Sequence, residues 1–420
     1  MAGVVSAYLL PAIILLFVIP VASLHAADIT LMEPGDYQVY QRNSPLKGDV
    51  RVRGTINGSQ AAEVKLECRI VTSDSHALRY LRDVPHDKDV PHDKDVPHHK
   101  EVPDDKKDEA NPWQELAVRK DGNAFEATFN APAGGWYRFE LRAMAAGSII
   151  AETAIEHFGV GEVFVVAGQS NSANHGQVKQ VTRTKRVSSF NGQRWQIAND
   201  PQPGASGNGG SFMPPLGDAL VDRFDVPVGF VACGIGASSV REWLPKGETF
   251  PNPPTIEARV VKLAESSWAS NGDAYAMLVK RMKEIGPNGF RAVLWHQGES
   301  DANQRDPSRT LPGNLYREYL EKVIRSTRRD IGLEMPWFVA QVSYHVPGDE
   351  SSPDIRAAQA SLWRDGIALE GPDSDALKGN LRENDGKGVH FSGRGLVEHS
   401  AKWAEKVVPW LEMQLKAVVK

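Results

Sequence analysis

Three short blocks of this sequence bring together residue types that do chemistry. Glu162 to Asn171 reads E-V-F-V-V-A-G-Q-S-N, a buried apolar run, a glycine, and a serine where a helix is expected to begin. A helix N-terminus offers unpaired N–H groups and the positive end of a dipole, which stabilise an oxyanion forming beside Ser170. Gly168 permits the tight turn. Ser172 stands where a G-x-S-x-G elbow has its second glycine, which argues against an ordinary α/β-hydrolase. Trp295 to Asp301 reads W-H-Q-G-E-S-D, again after an apolar run. There the Gln297 amide is a donor for an oxyanion, and Glu299 can orient a neighbour or hold a substrate hydroxyl. Asp385 to Ser392 reads D-G-K-G-V-H-F-S, a glycine-rich loop that delivers one imidazole, His390, the type a general base requires.

These blocks need elements to hold them at one place. From Gly161 onward, apolar runs at Val163–Ala167, Val228–Cys233, Ala292–His296 and Trp337–Val342 predict strands. Between them, Glu257–Glu265, Tyr275–Ile285, Tyr316–Arg325 and Ile355–Leu362 read as helices, and Gly395–Val419 as a closing helix bent or broken near Pro409. Buried runs alternating with helices imply a parallel sheet covered on both faces, whose reactive groups collect at the carboxyl ends of the strands. Residues 28–158 differ: short alternating segments such as Asp49–Val52, Ala124–Phe129 and Trp136–Met144, punctuated by Gly, Pro and Asn, predict an immunoglobulin-like β-sandwich domain. Residues 83–107 interrupt it with a degenerate repeat of D-V-P-H-D-K, whose regular prolines and charges predict an extended, solvated loop without a function of its own.

With 420 residues, 41% of them apolar, the chain can bury a large core and is expected to form two domains. A net charge of −5 without a basic face excludes a nucleic-acid binder. Cys68 and Cys233 fall in different domains and read as free thiols, with no disulfide or metal spacing. Residues 1–26 carry an apolar stretch, Tyr8 to Leu24, followed by Ala26-Ala27, and read as a signal peptide. An uncleaved leader acting as an anchor is the alternative, and it is the sole membrane contact expected. Either way the protein is expected to be secreted or periplasmic.

As a set, and with C-G-I-G-A-S-S at Cys233 to Ser239, the blocks resemble the SGNH hydrolases, more narrowly the sialate O-acetylesterase and acetylxylan esterase group, carbohydrate esterase family six. The resemblance implies a flavodoxin-like three-layer α/β/α domain over residues 160–420, with no metal and no organic cofactor. It implies a serine esterase that removes O-acetyl groups from carbohydrates through an acetyl-enzyme. Ser170 matches the nucleophile and His390 the base; Ser170, Gly236 and Gln297 match the oxyanion hole. Gln169, Asn171 and Glu299 are expected to contact an acetylated carbohydrate, with Trp195, Trp243 and Trp295 as stacking candidates.

The acid departs from the family pattern, because Lys387 stands three residues before His390, where Asp is usual. A lysine cannot accept the imidazole N–H. Asp385 is the expected replacement, with Glu383 or a Ser–His dyad as alternatives. The competing reading is a catalytically impaired carbohydrate-binding relative of the same fold.

Overall fold

The computed structural model describes residues 27–58, 63–72 and 109–418. The expected signal peptide and the repeat at 83–107 lie outside the described residues. The N-terminal region carries β1 (Asp28–Glu33), β2 (Gln38–Gln41), β3 (Lys47–Asn57), β4 (Lys65–Thr72), short strands β5 (Glu109–Ala110), β6 (Gln114–Glu115) and β7 (Arg119–Asp121), β8 (Ala124–Pro132), β9 (Gly134–Ala145) and β10 (Ser148–Gly168). One sheet has the order β1-β3-β8-β7; a second is built on β4, β9, the first half of β10, and β2. Alternate residues of β3, Val50 and Val52 among them, face inward against Phe125 and Phe129 of β8 and Phe139 and Leu141 of β9, as a sheet with one solvated face requires.

The remaining strands are β11 (Val187–Phe190), β12 (Trp195–Ile197), β13 (Val228–Ala232), β14 (Thr249–Phe250), β15 (Val260–Ala264), β16 (Ser267–Ser270), β17 (Ala292–His296), β18 (Trp337–Gln341) and β19 (Leu369–Asp373). The helices are α1 (Met213–Phe224), α2 (Asp273–Glu284), α3 (Gly313–Ile331), α4 (Pro353–Arg364) and α5 (Gly393–Ala417). The second half of β10 joins a sheet of order β12-β11-β13-β10-β17-β18-β19, parallel except at the β12 edge. Side chains of β10 alternate between two cores. Val163, Val165 and Ala167 pack with residues of α2, α3 and α4, whereas Phe164 and Val166 pack with residues of α1 and α5. Val163 to Ala167 are fully buried. Full burial of a Val or Phe contributes about 1.5–3 kcal/mol relative to exposure, so this strand is the anchor of both halves.

Two expectations are corrected. Glu257–Glu265 is not a helix: Val260–Ala264 is β15, paired with β16, and Lys262 lies over the ring of its cross-strand neighbour Trp268. The β-branched pair Val260-Val261 and the cross-strand aromatic favour the hairpin. At the C-terminus the 25-residue helix α5 is not broken at Pro409 but runs through it. Trp403, Val407, Leu411 and Leu415 recur every four residues against the sheet on both sides of the proline, and that packing offsets the lost backbone bond. Among the described residues no helix is long and apolar enough to cross a membrane.

Candidate active site

β10 ends beside the end of β17, with Gly168 opposite His296. Gly168 has φ +126°, and a Cβ there would stand 2.1 Å from the His296 carbonyl oxygen, so only glycine fits. Gln169 is extended, and Ser170–Ser172 form a single 3-10 turn. Among the described residues the N–H groups of Ser170 and Asn171 have no acceptor. The Ser170 side chain is buried, yet its hydroxyl is not sealed from solvent and among the described residues has no hydrogen-bond partner, His390 included. A hydroxyl beside two open N–H groups is the geometry of a nucleophile next to an oxyanion site.

The loops after β10, β17 and β19 meet through Asn171. Its Nδ2 donates to Glu299 Oε1 at 3.0 Å and to the Val389 carbonyl at 3.2 Å. Residues adjacent to Ser170 and His390 are thereby joined directly.

His390 is held by Glu383 and not by Asp385. Its Nδ1 stands 2.8 Å from Glu383 Oε1, which also accepts the His390 N–H at 3.1 Å; the Glu383 N–H in turn donates to the His390 carbonyl at 2.8 Å. Asp385 is exposed, in left-handed backbone with φ +56°, and makes no hydrogen bond to His390. The loop does fold an acid onto the imidazole, but the glycine that permits it is Gly388. A Cβ there would lie 2.2 Å from Glu383 Cγ. With Nδ1–H given to a carboxylate, Nε2 is left as the basic nitrogen.

Arg382 braces the same loop from below. It is buried, its guanidinium donates to the carbonyls of Leu377 (2.6 Å), Val389 (2.7 Å) and Ser374 (2.8 Å), and it lies between the rings of Tyr344 and Phe391. Burial holds its pKa below the ordinary arginine value.

The W-H-Q-G-E-S-D block is an internal brace. Gln297 is fully buried and gives its amide to Asp301 Oδ2 at 2.7 Å and the Ser238 carbonyl at 3.2 Å, with Gln169 Oε1 at 3.3 Å. Both of its N–H groups are spent, so the expected third oxyanion donor is not available. Asp301 also accepts from Ser239 Oγ, the Val240 N–H and the buried Arg241. Asn171 and Glu299, expected at the substrate, are instead buried against each other. Burial pushes the Glu299 carboxyl up to about 7. His296 bonds Ser374 at 2.9 Å, and burial drives it down to about 3, a neutral structural imidazole. Trp243 and Trp295 are sealed in the core, packed edge to face, and cannot stack on a sugar. Trp195 lies on Phe190 at the opposite sheet edge. Gln169 keeps one open group: its Oε1 accepts from the N–H groups of Gly298 and Ser300, while its Nε2 has no protein acceptor among the described residues.

Gly236 also departs from expectation. Its N–H donates to Ser206 Oγ at 2.6 Å, and Ser206 Oγ contacts His175 Nε2 at 3.1 Å. The His175 ring stacks on His390 with centroids 5.4 Å apart. Burial, then the neighbouring His390, holds His175 below the ordinary histidine value. Neither Ser206 nor His175 was singled out by the sequence reading. The one available signal was the position of His175, five residues after Ser170.

Among solved structures the chain is similar to a carbohydrate acetylesterase from Xanthomonas citri, at 16% identity over 90% of this chain and 74% of that one, with a TM-score of 0.49. It is also similar to a protein from Arabidopsis thaliana, at 19% identity over 58% and 96%, with a TM-score of 0.40. A family two carbohydrate esterase from Clostridium thermocellum matches at 9% identity over 92% and 99%, with a TM-score of 0.33. No curated protein matches the chain. The family model described as carbohydrate esterase, sialic acid-specific acetylesterase matches residues 160–409, more than half of the chain, and the protein belongs to that carbohydrate esterase family.

Proposed function

We propose that this carbohydrate O-acetylesterase works as a serine esterase, with Ser170 as nucleophile, His390 as general base and Glu383 as the acid that orients it. Its fold is read as an SGNH-type three-layer domain with an immunoglobulin-like partner, and the protein as exported. The observation that carries the mechanism is the Glu383–His390 contact at 2.8 Å on a loop tied to the Ser170 turn through Asn171.

Glu383 fixes the tautomer in which His390 Nε2 accepts the Ser170 proton and stabilises the imidazolium that follows. Ser170 Oγ attacks the acetyl carbonyl, and the negative oxygen is met by the open N–H groups of Ser170 and Asn171 and by Gln169 Nε2. His390 returns its proton to the departing sugar oxygen, then takes one from the water that hydrolyses the acetyl-enzyme. The absence of a Ser170–His390 hydrogen bond before substrate arrives fits this scheme, because such contacts often tighten only in the substrate complex. The expected substrates are acetylated polysaccharides such as xylan, or O-acetylated sialic acid.

The test is acetate release from acetylated xylan, O-acetyl sialic acid and p-nitrophenyl acetate by the purified protein and by Ser170→Ala. Ser170→Ala is expected to be inactive on every substrate; equal rates would reject the serine mechanism and favour the carbohydrate-binding alternative.

A further inference from the structure

We infer that the Ser206 hydroxyl is an oxyanion donor, standing in for the Gly236 N–H, and that Gly236 and His175 position its proton. The inference rests on the serine-esterase reading and deepens it. The starting observation is that the backbone N–H expected to face the oxyanion is already spent on Ser206 Oγ at 2.6 Å. A serine hydroxyl has two acceptor lone pairs and one proton. Gly236 occupies one lone pair. His175 Nε2, at 3.1 Å, occupies the other whenever it carries the ring proton. With both lone pairs filled, the single hydrogen bond left to Ser206 is a donation outward.

Backbone bonds tie Ser206 to the Ser170 turn. Ile235, next to Gly236, donates its N–H to the Gly168 carbonyl at 2.9 Å, two residues before Ser170. Ser206 donates its N–H to the Gly234 carbonyl at 2.9 Å and accepts the Asn174 N–H at 2.9 Å, so it is clamped between the β13 loop and the Ser170 turn. His175 stacks on His390. The approach is tight enough to require glycine: a Cβ on Gly236 would meet His175 Nε2 at 2.6 Å, and one on Gly207 would meet His175 Cδ2 at 2.8 Å, where φ is +87°. When His175 Nε2 carries the ring proton, two donors impose the orientation of the hydroxyl and preorganise it, which is what makes an oxyanion donor effective. No bond to Ser206 is made or broken, and it keeps its proton throughout.

The experiment compares Ser206→Ala, Ser206→Thr and Ser170→Ala with the parent enzyme on p-nitrophenyl acetate, alongside inhibition by a boronic acid that forms a tetrahedral adduct on serine. Thermal unfolding checks that each variant folds. Removal of one oxyanion donor costs on the order of 10²-fold in kcat. Ser206→Ala is therefore expected to lose about that factor in kcat with KM within about threefold, and to weaken the boronic acid by a similar factor. Ser206→Thr, which keeps a hydroxyl, is expected to recover most of the loss. A Ser206→Ala enzyme with kcat within about threefold of the parent would overturn the inference, as would an acetyl group trapped on Ser206 itself. Either result, found together with an inactive Ser170→Ala, leaves the serine mechanism standing; an active Ser170→Ala brings down that mechanism instead.

Discussion

Glu383 and Asp385 lie two residues apart, and the backbone between them decides which one meets His390. Asn384 and Asp385 both adopt left-handed φ and Asp385 is exposed, while Glu383 bonds His390 twice, at the ring Nδ1 and at the backbone N–H. Glu383→Ala is expected to lower kcat by about 10²- to 10⁴-fold, and Asp385→Ala to leave it within about twofold, since only the residue that orients the imidazole carries the penalty. Steady-state rates on p-nitrophenyl acetate check both. His390→Ala is expected to cost about 10⁴-fold or more in the same assay. Glu299 makes a different prediction. Burial raises its carboxyl to about 7, so the native state holds a proton that the unfolded chain releases near its ordinary value. The native state binds more protons between these two pKa values, and stability on this account falls as pH rises from about 4.5 to 7, by about 3 kcal/mol across the window. Denaturant melts at a series of pH values are expected to show a flatter profile for Glu299→Gln; an unchanged slope would remove Glu299 as its source.

The first two candidate blocks were legible at the level of elements because each follows an apolar run with a clear strand signature, whereas the third follows the short strand β19, Leu369–Asp373, which has none. Val163–Ala167 and Ala292–His296 form adjacent parallel strands, and their ends bring Gly168 beside His296. The sequence could not say which polar groups of W-H-Q-G-E-S-D face inward. Gln297 has the chemistry of an oxyanion donor, yet Asp301 four residues on captures its amide, a tertiary choice that spacing does not encode. Ser206 was hidden for the opposite reason: it lies in the irregular stretch between β12 and α1, where no periodicity marks a residue. The loop after β19 shows how one buried cation fixes an active-site segment. Arg382 satisfies three carbonyls, and an unsatisfied buried acceptor costs about 1–3 kcal/mol. Arg382→Met is expected to lower stability by several kcal/mol on that basis and to slow turnover by misplacing His390. Arg382→Lys restores the charge without the fork and is expected to recover little of either. Thermal melts and kcat together distinguish this from a purely catalytic effect.

At the scale of the molecule, β10 is shared. Its first half pairs antiparallel with β9 in the N-terminal region, and its second half is the central strand of the parallel sheet. Glu162, fully buried where the two meet, bonds Arg42 and Gln41 from the β2 end and Arg291 from the start of β17. Breaking a buried ion pair by removing one partner costs about 3–5 kcal/mol. Glu162→Ala is therefore expected to destabilise both regions by about that amount, with one cooperative transition in calorimetry rather than two; independent melting of the regions would contradict a shared strand. What this framework holds in place is the serine proposed to carry the acetyl group. The most direct measurement is rapid mixing with p-nitrophenyl acetate, quenching in acid and mapping the acetylated peptide by mass spectrometry. A burst of nitrophenolate close to one equivalent per chain and an acetyl group on Ser170 are expected, both absent in Ser170→Ala. Turnover without any acetylated serine, or an acetyl group on another side chain, would contradict the serine mechanism.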